Sequence, residues 1–302
     1  MLKKFHPRNK HQASYNFAAL IKAIPELKPY VHSHPKAGET IDFSNPMAVK
    51  TLNQALLKLH YGIAFWDLPE GYLCPAIPGR AEYIHQVADL LGAKGKSAAS
   101  NIRVLDIGSG ANCVFPLIGQ REYGWRFVAS EVDATAFRAA KGIVRANKLD
   151  KVIDCRLQAD KDFIFEGIIK PKEVFDLVIC NPPFFASQEE ALKASQQKWK
   201  KLGKDTKKGQ NFGGQATELW CEGGEFVFIE KMIQESADFA EQCLWFTSLV
   251  AKKVHLKGLL ERIGKKGASS NLIEMTYGQK QSRILAWTFH SKKDQQRWLA
   301  SL

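Results

Sequence analysis

Apolar and polar positions follow two regimes along this 302-residue chain. From Arg103 onward, short apolar runs alternate with longer amphipathic stretches. Runs of strand length fall at 103–107, 126–130, 152–157, 174–180 and 243–250. Helical spacing fits 134–147, 224–239 and 253–264. Alternating β and α units predict a mostly parallel sheet covered by helices on both faces. Two more runs, 271–277 and 283–289, flank a Gly-Gln-Lys-Gln-Ser connection and read as a terminal antiparallel hairpin, which would complete seven strands. Before residue 103 the pattern is mainly helical. Val49, Leu52, Leu56, Leu57 and Leu59 recur near helical spacing over 46–60. A loop over 72–80 holds two prolines, a glycine and Arg80, and a helix is expected from about Ala81 to Leu91. A small, polar stretch over 93–100 reads as a linker. The pattern thus predicts a mainly helical extension over 1–95 and an α/β domain over 96–302.

Two loops of that α/β domain carry candidate chemistry. Asp106-Ile107-Gly108-Ser109-Gly110-Ala111-Asn112 follows the first core strand, and its glycines allow a sharp turn and close approach of backbone to ligand. The third glycine of a dinucleotide fingerprint is missing, since position 113 is Cys. The loop therefore suits a nucleoside ligand without a pyrophosphate, such as S-adenosylmethionine (AdoMet). Asp106 would face its cationic methionine end. Glu131 closes the second strand, near the spacing of roughly 20 residues at which an acid meets ribose hydroxyls, with Asp133 as the fallback. Gln158 or Asp160, after the third strand, are candidates to reach the adenine of the cofactor.

Asn181-Pro182-Pro183-Phe184 follows the fourth strand. An amine conjugated to a ring is a poor nucleophile, and positioning helps it more than a strong base does. The Asn181 side-chain oxygen and the Pro182 carbonyl could accept its two N–H bonds. The prolines stiffen the turn, and Phe184 offers a stacking face. The layout predicts a Rossmann-like class I AdoMet-dependent methyltransferase acting on a planar amino nitrogen, without a metal. A duplex-embedded base would have to be flipped out or single-stranded to reach this turn.

Charge narrows the partner. The net charge is +12, which favours an anionic macromolecule, nucleic acid above all. Residues 1–25 carry Lys3, Lys4, Arg8, Lys10 and Lys22 and no acid. Seven lysines (Lys193, Lys198, Lys200, Lys201, Lys204, Lys207 and Lys208) face one acid over 193–210, within a basic loop placed at about 188–216. Lys3, Lys4, Arg8, Lys10, Lys200, Lys201, Lys207 and Lys208 are the expected phosphate contacts. The six cysteines show no C-x-x-C pair and read as reduced thiols of a cytoplasmic protein. No apolar run is long enough for a membrane span, and the N-terminus lacks the apolar core of a signal peptide. A monomer is taken as the default.

Several segments resemble the bacterial adenine-N6 methyltransferases of large-subunit ribosomal RNA, over nearly the whole chain. They are His6-Pro7-Arg8-Asn9-Lys10, Ile41-Asp42-Phe43-Ser44-Asn45-Pro46, Tyr72-Leu73-Cys74-Pro75, Ile77-Pro78-Gly79-Arg80 and Tyr83-Ile84-His85. Gly110-Ala111-Asn112-Cys113, Asn181-Pro182-Pro183-Phe184, Asn211-Phe212-Gly213-Gly214 and Gly223-Gly224-Glu225 extend the likeness. A eukaryotic adenine-N6 methyltransferase of small nuclear and messenger RNA looks like a more distant relative. The resemblance implies methylation of one adenine in 23S rRNA or its large-subunit precursor. It also implies an RNA-binding role for residues 1–95, and an Arg80 that pairs with the methionine carboxylate of AdoMet. Three alternatives compete: a protein glutamine methyltransferase, a DNA adenine methyltransferase, and a non-catalytic RNA-binding assembly factor.

Overall fold

The protein is described from a computed structural model, which covers residues 5–35, 38–93, 101–193, 216–277 and 280–301. The central sheet is built from β3 (Arg103–Ile107), β4 (Arg126–Glu131), β5 (Ile153–Leu157), β6 (Phe175–Cys180), β7 (Cys243–Val250), β8 (Ser269–Tyr277) and β9 (Lys280–Thr288). Their order across the sheet is β5-β4-β3-β6-β7-β9-β8. The first five are parallel, and β9 joins β7 antiparallel. Every residue of β6 and β7 is buried, as strands covered on both faces require. The expected sheet and terminal hairpin are both present, the hairpin longer at each strand's start.

Two apolar clusters sandwich the sheet. One includes α1 (Phe17–Ala23), α2 (Pro46–Tyr61), α3 (Ile77–Leu90), α4 (Val114–Tyr123) and α5 (Ala134–Ala146). The other collects α7 (Gly224–Ser236) and α8 (Leu256–Lys265), with Ile164, Phe165, Ile168 and Ile169 from the loop after β5. A one-turn helix, α6 (Ala216–Leu219), precedes α7, and α9 (Lys292–Ala300) ends the described chain. Trp298 on α9 donates its indole N–H to Asp176 at 2.6 Å, while Asp176 also accepts the Arg103 amide at 2.7 Å. Among the described residues no helix is long and apolar enough to cross a membrane.

Several elements differ from the sequence pattern. A small antiparallel ribbon, β1 (Val31–His34) with β2 (Gly38–Ile41), sits in the otherwise helical extension. In α2, Leu52, Leu56 and Leu57 are buried, but Leu59 is 41% exposed and lies off the apolar face. Helix α3 begins at Ile77, so Arg80 occupies its first turn rather than a loop. Pro78 permits that start, because the first helical N–H groups have no intrahelical partner to lose. Helix α4, absent from the expected elements, contains Pro116 and Gly119. Gly119 is required there by contact: a Cβ would stand 2.5 Å from the Phe127 ring.

The extension is packed into the same apolar cluster as one face of the sheet. Glu82, 3% exposed, fastens the N-terminal arm to α3. It accepts the His6 amide at 2.8 Å, the Asn9 side-chain amide at 3.0 Å and the Gln86 amide at 2.9 Å. Glu82→Ala is expected to leave those donors unsatisfied, costing about 2–4 kcal/mol. Chemical denaturation will measure that loss, and limited proteolysis will show whether residues 5–15 become the first cleavage site.

Candidate functional site

Parallel pairing aligns Ile107 with Cys180, so the loop after β3 and the turn after β6 emerge side by side. Strand order reverses here: β4 and β5 lie to one side of β3, β6 and β7 to the other. A ligand crevice forms at such a reversal, outside the carboxyl ends of the strands. Gly108 and Gly110 both take positive φ, 67° and 64°, and turn the chain sharply off β3. Asn112 steadies the entry into α4. Its side-chain oxygen accepts the Val114 amide at 3.2 Å, and its carbonyl accepts the Trp66 indole N–H at 2.9 Å.

Asp106 is 1% exposed, and neither carboxylate oxygen has a hydrogen-bond partner among the described residues. Burial pushes its pKa well up, the neighbouring Glu131 adds to the rise, and Arg80 opposes it. Glu131 is buried at the end of β4 and accepts amides from Gly110 at 2.8 Å, Val132 at 2.9 Å and Asp133 at 3.0 Å. Burial raises its pKa too, against those amides. Asp133 instead caps α5 through the Ala136 amide and accepts the Tyr72 hydroxyl at 2.7 Å. The Arg80 guanidinium lies 5.3 Å from the centre of the Phe115 ring. Three residues along α3, the fully buried Tyr83 supports the end of β6. Its hydroxyl contacts Thr247 at 2.8 Å and accepts the Cys180 amide at 3.4 Å.

Past Cys180, Asn181 presents a buried side-chain oxygen with no partner among the described residues. Pro182 is buried, and Pro183 and Phe184 are half-buried. The amides of Phe184 and Phe185 both donate to the Leu219 carbonyl, at 3.0 and 3.1 Å. Beside Leu219, Glu218 was not foreseen from sequence. It accepts the Leu73 amide at 2.8 Å and the Ala111 amide at 3.3 Å. Its pKa is raised from 4.5 to about 7 by burial, with the charges of Glu131 and Asp133 adding and the two amides opposing.

Other expected residues lie elsewhere or are engaged. The Gln158 backbone N–H bonds the Glu131 carbonyl at 2.8 Å, but its side chain folds into its own loop, donating to the Glu166 carbonyl and accepting the Asp160 amide. Arg8 pairs with Asp89 and donates to the His85 carbonyl at 3.3 Å. Lys10 pairs with Glu122 at 2.6 Å and donates to the His60 carbonyl. These two cations hold the arm down, a role that charge counting did not reveal. Lys3, Lys4, Lys200, Lys201, Lys207 and Lys208 lie outside the described residues.

A sequence profile of RNA methyltransferases matches residues 1–291. The chain belongs to that RNA methyltransferase family. Ribosomal RNA large subunit methyltransferase F of Pseudomonas fluorescens is 52% identical over 301 residues, covering 97% of this chain and 88% of the relative. The Aeromonas salmonicida protein of the same name is 53% identical over 290 residues, covering 94% and 91%. Among solved structures, the human METTL16 catalytic domain with a MAT2A 3'UTR hairpin superposes with a TM-score of 0.82 at 30% identity, covering 96% of this chain and 97% of that one. The human METTL16 N-terminal domain in complex with SAH gives 0.77 at 29% identity, with 96% and 100% covered. Family membership makes this chain an RNA methyltransferase dependent on AdoMet. The residues fit that cofactor: an orphaned, buried carboxylate at Asp106 and a glycine loop open to close approach.

Gly110 tolerates no side chain, since its φ is +64° and a Cβ would meet the Glu218 carboxylate at 2.9 Å. Gly110→Ala is expected to weaken AdoMet at least about tenfold by calorimetry, more than its effect on stability, because the distortion falls on the loop.

The raised pKa of Glu218 also carries a sign. Its buried position favours the protonated form, so the stability it contributes is present below pH 4.5 and is lost as pH rises through about 7. In cofactor-free protein, E218Q is expected to match wild type at pH 5 and to melt higher at pH 8. Thermal denaturation across that range will decide; parallel curves would remove the effect.

Proposed function

We propose that this enzyme methylates the exocyclic N6 of one adenine in 23S ribosomal RNA, as free RNA or within a large-subunit precursor. The orphaned oxygen of Asn181 carries this reading. A buried acceptor without a partner costs stability, about 1–3 kcal/mol, unless a ligand satisfies it. The names of the bacterial relatives support ribosomal RNA as the substrate.

When bound, AdoMet supplies an electrophilic methyl group on a positively charged sulfur. The chain's part is positioning. Asn181 Oδ1 accepts one N–H of the adenine amine, and the Pro182 carbonyl accepts the other. Held this way, the nitrogen is steered from planar toward tetrahedral geometry, with its lone pair directed at the methyl. Leu219 fixes the two amides that follow the prolines, so the acceptors need not reorganise during reaction. Phe184 stacks on the base, which must leave any helix to reach it. Arg80 binds the methionine carboxylate, Asp106 its ammonium and Glu131 the ribose, while Gly108, Gly110 and Asn112 shape the loop. Phosphates are held by the N-terminal module over 1–95 and by the lysines of the loop at about 188–216.

Asn181→Ala is expected to lower kcat by a factor of about a hundred or more while RNA affinity stays within about twofold. Single-turnover assays and filter binding will test this, with nucleoside mass spectrometry identifying N6-methyladenosine. Equal loss of rate and affinity would count against the role of Asn181. Transfer of methyl to a polypeptide instead of RNA would redirect the substrate.

A further inference from the structure

Glu218 joins two parts of the site that come from different strands. Its neighbour Leu219 accepts the Phe184 and Phe185 amides, and Cys221 donates to the Phe185 carbonyl at 3.2 Å. The backbone of this segment is therefore fastened to the catalytic turn. The Glu218 side chain reaches the other way, onto the cofactor loop. Its Oε1 accepts the Ala111 amide and stands 2.9 Å from where a Gly110 Cβ would be. Its Oε2 accepts the Leu73 amide.

Glu218 is thus the third carboxylate around this loop, after Asp106 and Glu131. A group of acids alone would imply nothing. Here, however, Asp106 is 1% exposed and both its oxygens lack partners among the described residues, which points to a cationic ligand. The guanidinium whose charge Asp106 feels is Arg80. Glu218 and Glu131 feel each other's charge, so the loop carries excess negative potential when they are ionised.

AdoMet and its demethylated product, S-adenosylhomocysteine, share adenosine, ammonium and carboxylate. They differ by one methyl and the positive charge on sulfur. As the methyl–nitrogen bond forms, the sulfur–carbon bond breaks and its electron pair returns to sulfur. The substrate nitrogen sheds a proton to solvent. The cofactor's sulfur is then neutral, so an ionised acid of the pocket no longer attracts it. Asp106 and Glu131 belong to strands of the sheet, so Glu218 is the acid contributed by the segment that braces the catalytic turn.

We propose that Glu218 is a specificity-determining residue that favours charged AdoMet over its neutral-sulfur product, so that methyl transfer itself weakens retention of the spent cofactor. The proposal rests on the AdoMet-dependent reading of the site. The charged and titratable groups facing Glu218 are Glu131 and Asp133 at the end of β4 and Tyr72 beside Leu73.

The test is calorimetric binding of AdoMet, S-adenosylhomocysteine and the amine-bearing analogue sinefungin to wild type and to Glu218→Gln. The preference for AdoMet over product is expected to fall roughly five- to tenfold in E218Q, with sinefungin following AdoMet. Asp89→Asn, remote from the site, is expected to keep the wild-type ratio. A ratio unchanged within about twofold while both ligands bind would overturn the proposal. Failure of wild type to bind either ligand would instead overturn the cofactor reading. Should E218Q not fold, the wild-type ratio between about pH 6 and 8.5 decides: it is expected to rise with pH, and a flat profile overturns the proposal.

Discussion

The parallel register between β3 and β6 is the constraint on which the site depends. It brings the ends of two strands, distant in sequence, to one level at the place where strand order reverses. A slip of one residue would turn every side chain of β6 to the opposite face. Burial on both faces makes such a slip costly, because Phe175, Leu177, Val178, Ile179 and Cys180 are all within the core. Tyr83 adds a specific lock by reaching from α3 to the last residue of β6. The position of Asn181 thus rests on the apolar packing of the strand that precedes it.

Against that rigid frame the site holds polar atoms that the protein does not satisfy. Native structures rarely leave buried oxygens without partners, and functional sites are where they do so. Asp106 and Asn181 lie at the tips of paired strands, one a carboxylate and one an amide oxygen. They are complementary to different chemical features: a cation on one side and an N–H donor on the other. One lies near the end of β3 and the other just past β6, so the two features face one crevice from neighbouring strands.

The core strands were legible because each is an apolar run bounded by turn residues; 103–107 and 243–250 agree residue for residue with the structure. The place and stiffness of one turn were legible too, since Asn-Pro-Pro-Phe follows an apolar run and holds two adjacent prolines. Helix α4 was not, because Pro116 and Gly119 argue locally against a helix, and only the Phe127 ring across the interface explains the glycine. Arg8 and Lys10 read as free charge because their partners, Asp89 and Glu122, are distant in sequence. Glu218 was invisible for the same reason: a single acid after a lysine-rich stretch carries no periodicity, and its meaning comes from Leu73 and Ala111.

Helix α3 serves several neighbours at once. Ile77, Ala81, Glu82, Tyr83, Ile84, His85, Val87 and Ala88 are all buried. One side grips the N-terminal arm through Glu82, another supports β6 through Tyr83, and its first turn sets Arg80 near Asp106. Such a helix has almost no neutral positions. Evolutionary drift along it is therefore narrow: a change that suits one neighbour disturbs another, and compensation must arise in three segments together. The sequence of α3 should diverge more slowly than its length alone would suggest, and grafting a foreign arm onto this domain would require carrying the helix with it.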